Sequence, residues 1–341
     1  MKKRLLAMLL AAAMCTGLAA CSSDTGTATT PEGGETAESG DGSYNIDVIL
    51  KTTASEYWQY VQAGAMAYQK DNPNVTVTVK GAPSETSYQE QLNMIQTDLA
   101  GDYDGFVIAP LQADMVANLI EGQTKPIVAV DTKIEAPEVI SFVGTGNESA
   151  GALGGAAAVE AAKAAGWTEI KAIEIAGVQG DTTNTDRMNG YMKGIEEAGG
   201  DFLEDEVQYA DAVATKAVDA MNGIMSRYPD GIAIICANND DMAIAAAKAA
   251  ADSGNEAYAN TIFLGFDGIQ SACDAILEGR LTMSVAQQGY EMGYMAVEAV
   301  VNNLNGEDVE EFIDSGADVV TADNAQKRKE TLQGYLDALE A

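Results

Sequence analysis

The sequence predicts an α/β protein built from parallel sheets with helices on both faces. Short apolar runs rich in Val and Ile recur along the chain from Tyr44 onward. Most are continuous rather than alternating, the pattern of strands covered on both faces. Amphipathic or Ala-rich stretches separate them, and repeated β-then-α units imply parallel sheets. The chain from Tyr44 to Ala341 is too long for one small domain and suits two.

In order, the apolar runs place strands at 46–50, 75–79, 105–108, 127–130, 139–143, 171–175, 232–236, 262–265, 281–285 and 319–321. Helical spacing falls between them, for example over 57–70, 149–165, 186–198, 241–251 and 290–303. A last stretch, 325–339, reads as a surface helix. Cys236 sits in an apolar strand and Cys273 in a helix. An exported chain can pair two such cysteines, but two buried free thiols are the simpler expectation.

The beginning of the chain argues an address. Lys2, Lys3 and Arg4 precede an apolar run over 5–13 that is too short to span a bilayer. Small residues lead to Leu18-Ala19-Ala20-Cys21. This layout predicts a secretory signal peptide over 1–20. The final four residues resemble a bacterial lipobox, which implies lipidation of Cys21. From Ser22 to Ser43 there is almost nothing to build a core, so 21–43 is expected to be a flexible tether. Its r.m.s. reach as a coil is about 25 Å.

Charge and missing residues exclude several functions. The formal charge is −33, and losing 1–20 removes three basic residues and no acidic one, leaving −36. That opposes binding to nucleic acid or to an anionic membrane surface. There is no histidine, so Ser-His-Asp and Cys-His sites are ruled out. A zinc site built from carboxylates and two cysteines is not expected. No Walker A pattern occurs, and Gly144-Thr145-Gly146 lacks the third glycine of a dinucleotide fingerprint. No cofactor and no metal are expected.

In open parallel sheets, ligands sit beyond the carboxyl ends of the strands. The residues that follow the apolar runs include Thr52, Thr53, Asp131, Thr145, Asn147, Asn238, Asn239, Asp240, Phe266, Asp267 and Gln287. These are neutral hydrogen-bonders, carboxylates and an aromatic, with almost no cations. That inventory suits hydroxyl groups. Tyr57 and Trp58 lie just past the first strand, and an aromatic face packs well on the C–H face of a sugar. Each feature also has a structural explanation. Asn239 and Asp267 both precede helices and can serve as N-caps, Tyr57 and Trp58 can be core, and Arg187 can be a solvated helix charge. The recurrence of polar residues at one end of several strands favours a site.

These anchors, taken together, resemble the type I periplasmic binding proteins of the ribose- and galactose-binding group. The resemblance covers about 45–321. It is carried by the first strand with Tyr57-Trp58 and Gly64, by Ile127-Val128-Ala129-Val130-Asp131, and by Arg187-Met188-Asn189-Gly190-Tyr191. Further on it rests on Ala237-Asn238-Asn239-Asp240-Asp241-Met242-Ala243, on Gly265-Phe266-Asp267-Gly268, and on Leu281 to Gln287. It implies two doubly wound α/β domains joined by a three-segment hinge, 44–145 with 288–313 and 146–287 with 314–341. The hinge strands would lie near 143–145, 286–288 and 313–316. It implies ligand contacts at Ser55, Tyr57, Trp58, Asp131, Thr145, Asn239, Phe266, Asp267 and Gln287, with Asn147 near the first crossing and Arg187 structural.

Departures from the group matter too. Thr132 and Thr185 stand where ribose binders carry arginines, Ala109 where an asparagine is expected and Ala212 where an aromatic is. Ribose is therefore a poor fit. Another sugar, a polyol, a furanose-like signal, or a ligand with a positive group facing Glu56 or Asp211 suits the pocket better. The calcium-loop pattern of some galactose binders is missing.

The expected function is that of a monomeric, lipid-anchored substrate-binding protein on the outer face of the cell membrane. It would pass a small sugar or sugar-like ligand to an ABC permease and its ATPase, without catalysis. A ligand-sensing receptor for a sensor kinase or chemoreceptor, or a binder of a non-sugar polar ligand, is the alternative. A secreted glycosidase using Asp131 and Asp267 and a transcriptional regulator of the same fold are further readings. The resemblance opposes the first, and the signal peptide opposes the second.

Overall fold

A computed structural model describes residues 42–340. The expected signal peptide, Cys21 and nearly all of the expected tether lie outside the described residues. The chain begins with β1 (Tyr44–Thr52), α1 (Glu56–Asp71), β2 (Val75–Ala82), α2 (Tyr88–Leu99), β3 (Gly105–Ile108), α3 (Ala113–Leu119), β4 (Ile127–Val130) and β5 (Val139–Gly144). It continues with α4 (Asn147–Ala164), β6 (Lys171–Ala176), α5 (Thr182–Glu197), β7 (Asp201–Phe202), β8 (Gln208–Tyr209), α6 (Ala214–Arg227), β9 (Ile234–Ala237), α7 (Asp240–Asp252), β10 (Ile262–Asp267), α8 (Gln270–Leu277) and β11 (Met283–Gln287). The last elements are α9 (Gly289–Leu304), β12 (Phe312–Asp314), β13 (Ala317–Val320) and α10 (Ala325–Glu340).

The strands form two sheets. One has the order β12-β5-β4-β3-β1-β2 and the other β13-β11-β10-β9-β6-β7, with β8 also pairing β6. Every pairing is parallel except β11 with β13. The two-period of the strands sorts each sheet's side chains between two helical layers. In the first sheet Ile46, Val48 and Leu50 pack toward α1 and α9, whereas Ile49, Phe106, Ile108 and Ile127 pack on Ile95 of α2 and Val116 of α3. In the second sheet Ala172, Ile234, Cys236 and Leu264 pack with Ala158, Val159, Tyr191 and Ile195 of α4 and α5. Ile173, Ile175 and Ile235 face Met221, Met242 and Ala246 of α6 and α7. Fully covered strands on both faces explain the unbroken apolar runs.

Two helix pairs cross at near-contact distance because glycines stand at the crossings. A Cβ on Gly64 would lie 1.8 Å from the Tyr290 carbonyl oxygen, between α1 and α9. One on Gly194 would lie 2.0 Å from the Ala152 carbonyl oxygen, between α5 and α4.

The chain passes between the sheets three times, after β5, after β11 and between β12 and β13. Arg328 of α10 ties one crossing down, donating to the Gln287 carbonyl at 2.5 Å, to Gln288 Oε1 at 2.7 Å and to the Gly268 carbonyl at 3.2 Å. Cys236 and Cys273 are both buried free thiols. Among the described residues no helix is long and apolar enough to cross a membrane.

Candidate functional site: a cleft between the two sheets

The carboxyl ends of both sheets border one cavity of about 430 Å³. The segments after β1, β2, β3 and β4 line one side, and those after β6, β8, β9, β10 and β11 the other. Of the residues expected at the site, Ser55, Tyr57, Trp58, Asp131, Asn239, Asp267 and Gln287 line this cavity. Two others do not. Thr145 is buried at the first crossing, its hydroxyl 3.4 Å from Ser315 Oγ and its carbonyl accepting from Asn147 Nδ2 at 3.1 Å. Phe266 is fully buried beneath Arg187, whose guanidinium lies 3.9 Å from the ring centroid. Arg187 stands between Phe266 and the cavity, so the ring supports a lining residue instead of forming the wall.

Arg187 is not a solvated helix charge. It is buried, lines the cavity and is held on every side. Nε donates to Asn147 Oδ1 and Nη1 to the Asn238 carbonyl, each at 2.8 Å, and Asp267 Oδ1 lies 3.7 Å away. Asp267 is also anchored by Gln287 Nε2 at 2.7 Å. Burial pushes the Asp267 carboxyl well above the usual carboxylate range, Asp240 and Asp131 push the same way, and Arg187 and Gln287 oppose the shift.

The capping explanation separates the two residues it covered. Asn239 is the N-cap of α7, its side chain accepting from the Met242 N–H at 3.0 Å, and it also lines the cavity. Asp267 caps nothing. Helix α8 starts after Ile269, whose N–H donates to Asp240 Oδ2 at 3.1 Å. Asp240 is fully buried and also accepts from Ser284 Oγ at 2.6 Å.

On the opposite side Tyr57 and Trp58 meet edge to face, with centroids 5.1 Å apart. Both are largely buried, so the pair belongs to core and cavity wall together. Trp58 Nε1 donates to Glu85 Oε1 at 2.8 Å. Lys51 Nζ is 3.9 Å from Asp131 Oδ1. Burial lowers the Lys51 pKa, but Asp131, Asp181 and Glu85 outweigh it and hold the ammonium above its ordinary value. Asp131 is 4 % exposed, and among the described residues its carboxylate accepts no hydrogen bond.

Backbone strain converges on the same place. Among the described residues four non-glycine residues have positive φ: Asp131 (64°), Asp211 (52°), Ala212 (58°) and Asp267 (126°). All four line the cavity. Such conformations cost on the order of 1–3 kcal/mol each and persist where the surroundings enforce them, often at ligand sites.

Several lining residues escaped the sequence reading. Almost no cations follow the apolar runs, yet Lys51 and Arg187 both line the cavity. Glu85 and Asp181 follow β2 and β6, and the strand-end rule reaches them once β2 is taken to Ala82, three residues past the expected end. Glu56, suggested as facing a positive group, is committed elsewhere: it accepts from Tyr60 Oη at 2.7 Å and from Ser271 Oγ at 2.8 Å. Asp211 does line the cavity but is paired with Lys216. Among the described residues no group of three or more His, Cys, Asp or Glu is placed to hold a metal ion.

Residues 46–308 match the family described as the periplasmic binding protein domain. The chain is 30 % identical over 265 residues to the D-allose-binding periplasmic protein of Escherichia coli strain K12, covering 75 % of this chain and 83 % of the relative. It is 25 % identical over 273 residues to the ribose import binding protein of Bacillus subtilis strain 168, covering 79 % and 85 %. A carbohydrate transporter solute-binding protein from Agrobacterium radiobacter, solved in complex with D-arabinose, superposes with a TM-score of 0.77. It is 26 % identical, over 86 % of this chain and 99 % of that one.

Proposed function

Because this chain belongs to the periplasmic binding protein family, we propose that it captures a small sugar or sugar-like molecule in the cleft and delivers it to an ABC importer. The observation that carries the reading is Asp131. A carboxylate this buried, in a left-handed backbone conformation, has Lys51 3.9 Å away as a charge partner but among the described residues accepts none of the hydrogen bonds that buried polar groups require. Two ligand hydroxyls donating to it would supply them. Asp267, Gln287 and Asn239 add acceptors and donors on the other wall, and Tyr57 with Trp58 offers an apolar face. The relatives named for D-allose and ribose, and the structure holding D-arabinose, support a monosaccharide-sized ligand.

The ligand would touch both walls and so favour a closed cleft, the domains 44–145 with 288–313 and 146–287 with 314–341 rotating about the three crossings. The chain acts as a monomer, exported and held at the outer face of the membrane by lipid on Cys21. Its partner is the permease with its ATPase.

The test is titration calorimetry with D-allose, D-ribose and D-arabinose on the wild type and on Asp131→Asn. Asparagine tolerates the left-handed backbone, so the variant removes the charge and keeps the fold. We expect micromolar or tighter binding of at least one aldose, weakened in the variant by about 1.5–3 kcal/mol, the worth of a charged hydrogen bond. No heat from any aldose at millimolar concentration, or equal affinity in the variant, would count against the proposal.

A further inference from the structure

We propose that the ligand carries a cationic amino group beside its hydroxyls, so that the cleft favours an amino sugar or aminopolyol over the corresponding neutral sugar. The inference rests on the sugar-binding reading above and sharpens it.

Six carboxylates line the cavity, those of Glu85, Asp131, Asp181, Asp211, Asp241 and Asp267, against two cations, Lys51 and Arg187. Both cations are already committed, Lys51 to Asp131 and Arg187 to Asp267. Asp211 is paired with Lys216 outside the cavity. Among the described residues no Lys or Arg forms an ion pair with Glu85, Asp181 or Asp241. Lys51 is shared among Asp131, Asp181 and Glu85, so apart from Asp211 five lining carboxylates face two cations, and among the described residues Asp241 forms no ion pair.

Their arrangement is specific. Glu85 follows β2 on one wall, and Asp241 opens α7 on the other. Both carboxylates line the same cavity, and the charge of Asp241 adds to the upward push on Glu85. Burial pushes both carboxyls above their ordinary range, and Glu56 pushes Asp241 further. Asp131 is the independent sign that something belongs in this space, since it is almost fully buried and, with Lys51 Nζ 3.9 Å away, its carboxylate accepts no hydrogen bond among the described residues.

A neutral hydroxyl can donate to a carboxylate, but it leaves the charge in place. Expelling water from the closed cleft strengthens the repulsion between the walls. An ammonium between Glu85 and Asp241 supplies three donors and the missing charge together. A metal ion would serve the same electrostatics, but no group among the described residues is placed to hold one. An anionic sugar would meet repulsion and find both cations occupied.

The test is competition calorimetry on the purified protein at pH 7. The probes are D-allose, its 2-, 3- and 6-amino-deoxy derivatives, and the matching N-acetyl compounds as uncharged controls. We expect at least one amine to bind about tenfold or more tighter than D-allose, with the advantage lost on N-acetylation and shrinking as salt is raised. In Asp241→Asn and Glu85→Gln the ratio of amine to D-allose affinity should fall by about threefold or more, with thermal melting used to confirm that each variant is folded. If D-allose binds and no amine binds more tightly, the proposal is overturned while the sugar reading stands. A preference that survives in the double variant overturns it too. If no probe binds at all, the sugar reading fails and takes this inference with it.

Discussion

Glu174 lies in the middle of the second sheet, fully buried, and neither carboxylate oxygen has a hydrogen-bond partner. Burial pushes its pKa from about 4.5 up to about 8, with Asn238 and Arg187 acting the other way. The folded protein therefore holds a proton at this site that the unfolded chain releases above about 4.5. Stability from this group is fully present below pH 4.5 and is lost as pH rises through 8. The shift corresponds to a loss on the order of 5 kcal/mol. Urea denaturation from pH 5 to pH 9 should show stability falling with pH, and Glu174→Gln should remove a large share of that fall. An unchanged slope in the variant would show that Glu174 folds as a carboxylate. This residue was not legible in the sequence, because the run 171–175 reads as an ordinary strand with two polar positions, Lys171 and Glu174. Asn239 and Asp267 teach the complementary lesson. Both precede helices in sequence, and only the backbone separates the cap, Asn239, from Asp267, which is held by Gln287 and Arg187 instead. The positive φ at Asp131, Asp211, Ala212 and Asp267 likewise has no side-chain signal that a single sequence displays.

Elements were legible in proportion to their apolar content. The strands at 105–108 and 127–130 were expected with their observed bounds, since each is a run of four buried residues with a proline close to one end. The two-residue strands β7 and β8 are too short to show a period. Helix α2 buries only Gln91 and Ile95, which leaves its apolar stripe too thin to read. Helix packing makes a sharper claim, because the same substitution should act in opposite directions in two helices. Gly194 of α5 abuts the Ala152 carbonyl, whereas a Cβ on Gly223 of α6 would meet nothing within 4 Å. Gly223→Ala should stabilise by up to about 1 kcal/mol through helix propensity and reduced freedom of the unfolded chain. Gly194→Ala gains the same term but must push α4 and α5 apart, and overpacking of this kind costs about 1–3 kcal/mol, so it should lower stability on balance. Chemical denaturation of both variants is the check. If they shift the midpoint equally, the crossing of α4 and α5 is looser than the described contact.

At the scale of the whole molecule, hydrogen bonds join the two sides of the cleft. The Thr132 hydroxyl, just after β4, lies 3.2 Å from that of Thr183 in α5. Glu56 of α1 accepts from Ser271 of α8, and the Gln270 N–H reaches Tyr60 Oη at 3.3 Å. If the cleft opens and closes as proposed, these bonds bias the closed state whether or not ligand is present. Removing one costs about 1 kcal/mol, which moves an open–closed equilibrium roughly fivefold. Thr132→Val keeps the shape, removes the hydroxyl and touches no lining surface. It should weaken ligand binding by up to about fivefold and enlarge the radius of gyration of the unliganded protein, while saturating ligand restores the compact value. Trp58 lines the cavity, whereas Trp167 donates to the Asn260 carbonyl at 2.8 Å, away from the lining residues. The ligand-induced fluorescence change should therefore persist in a Trp167→Phe background, where Trp58 alone follows the titration. Should Thr132→Val bind as tightly as wild type with the same scattering at every ligand concentration, the cross-cleft bonds carry no part of closure, and the cleft is better described as a rigid pocket.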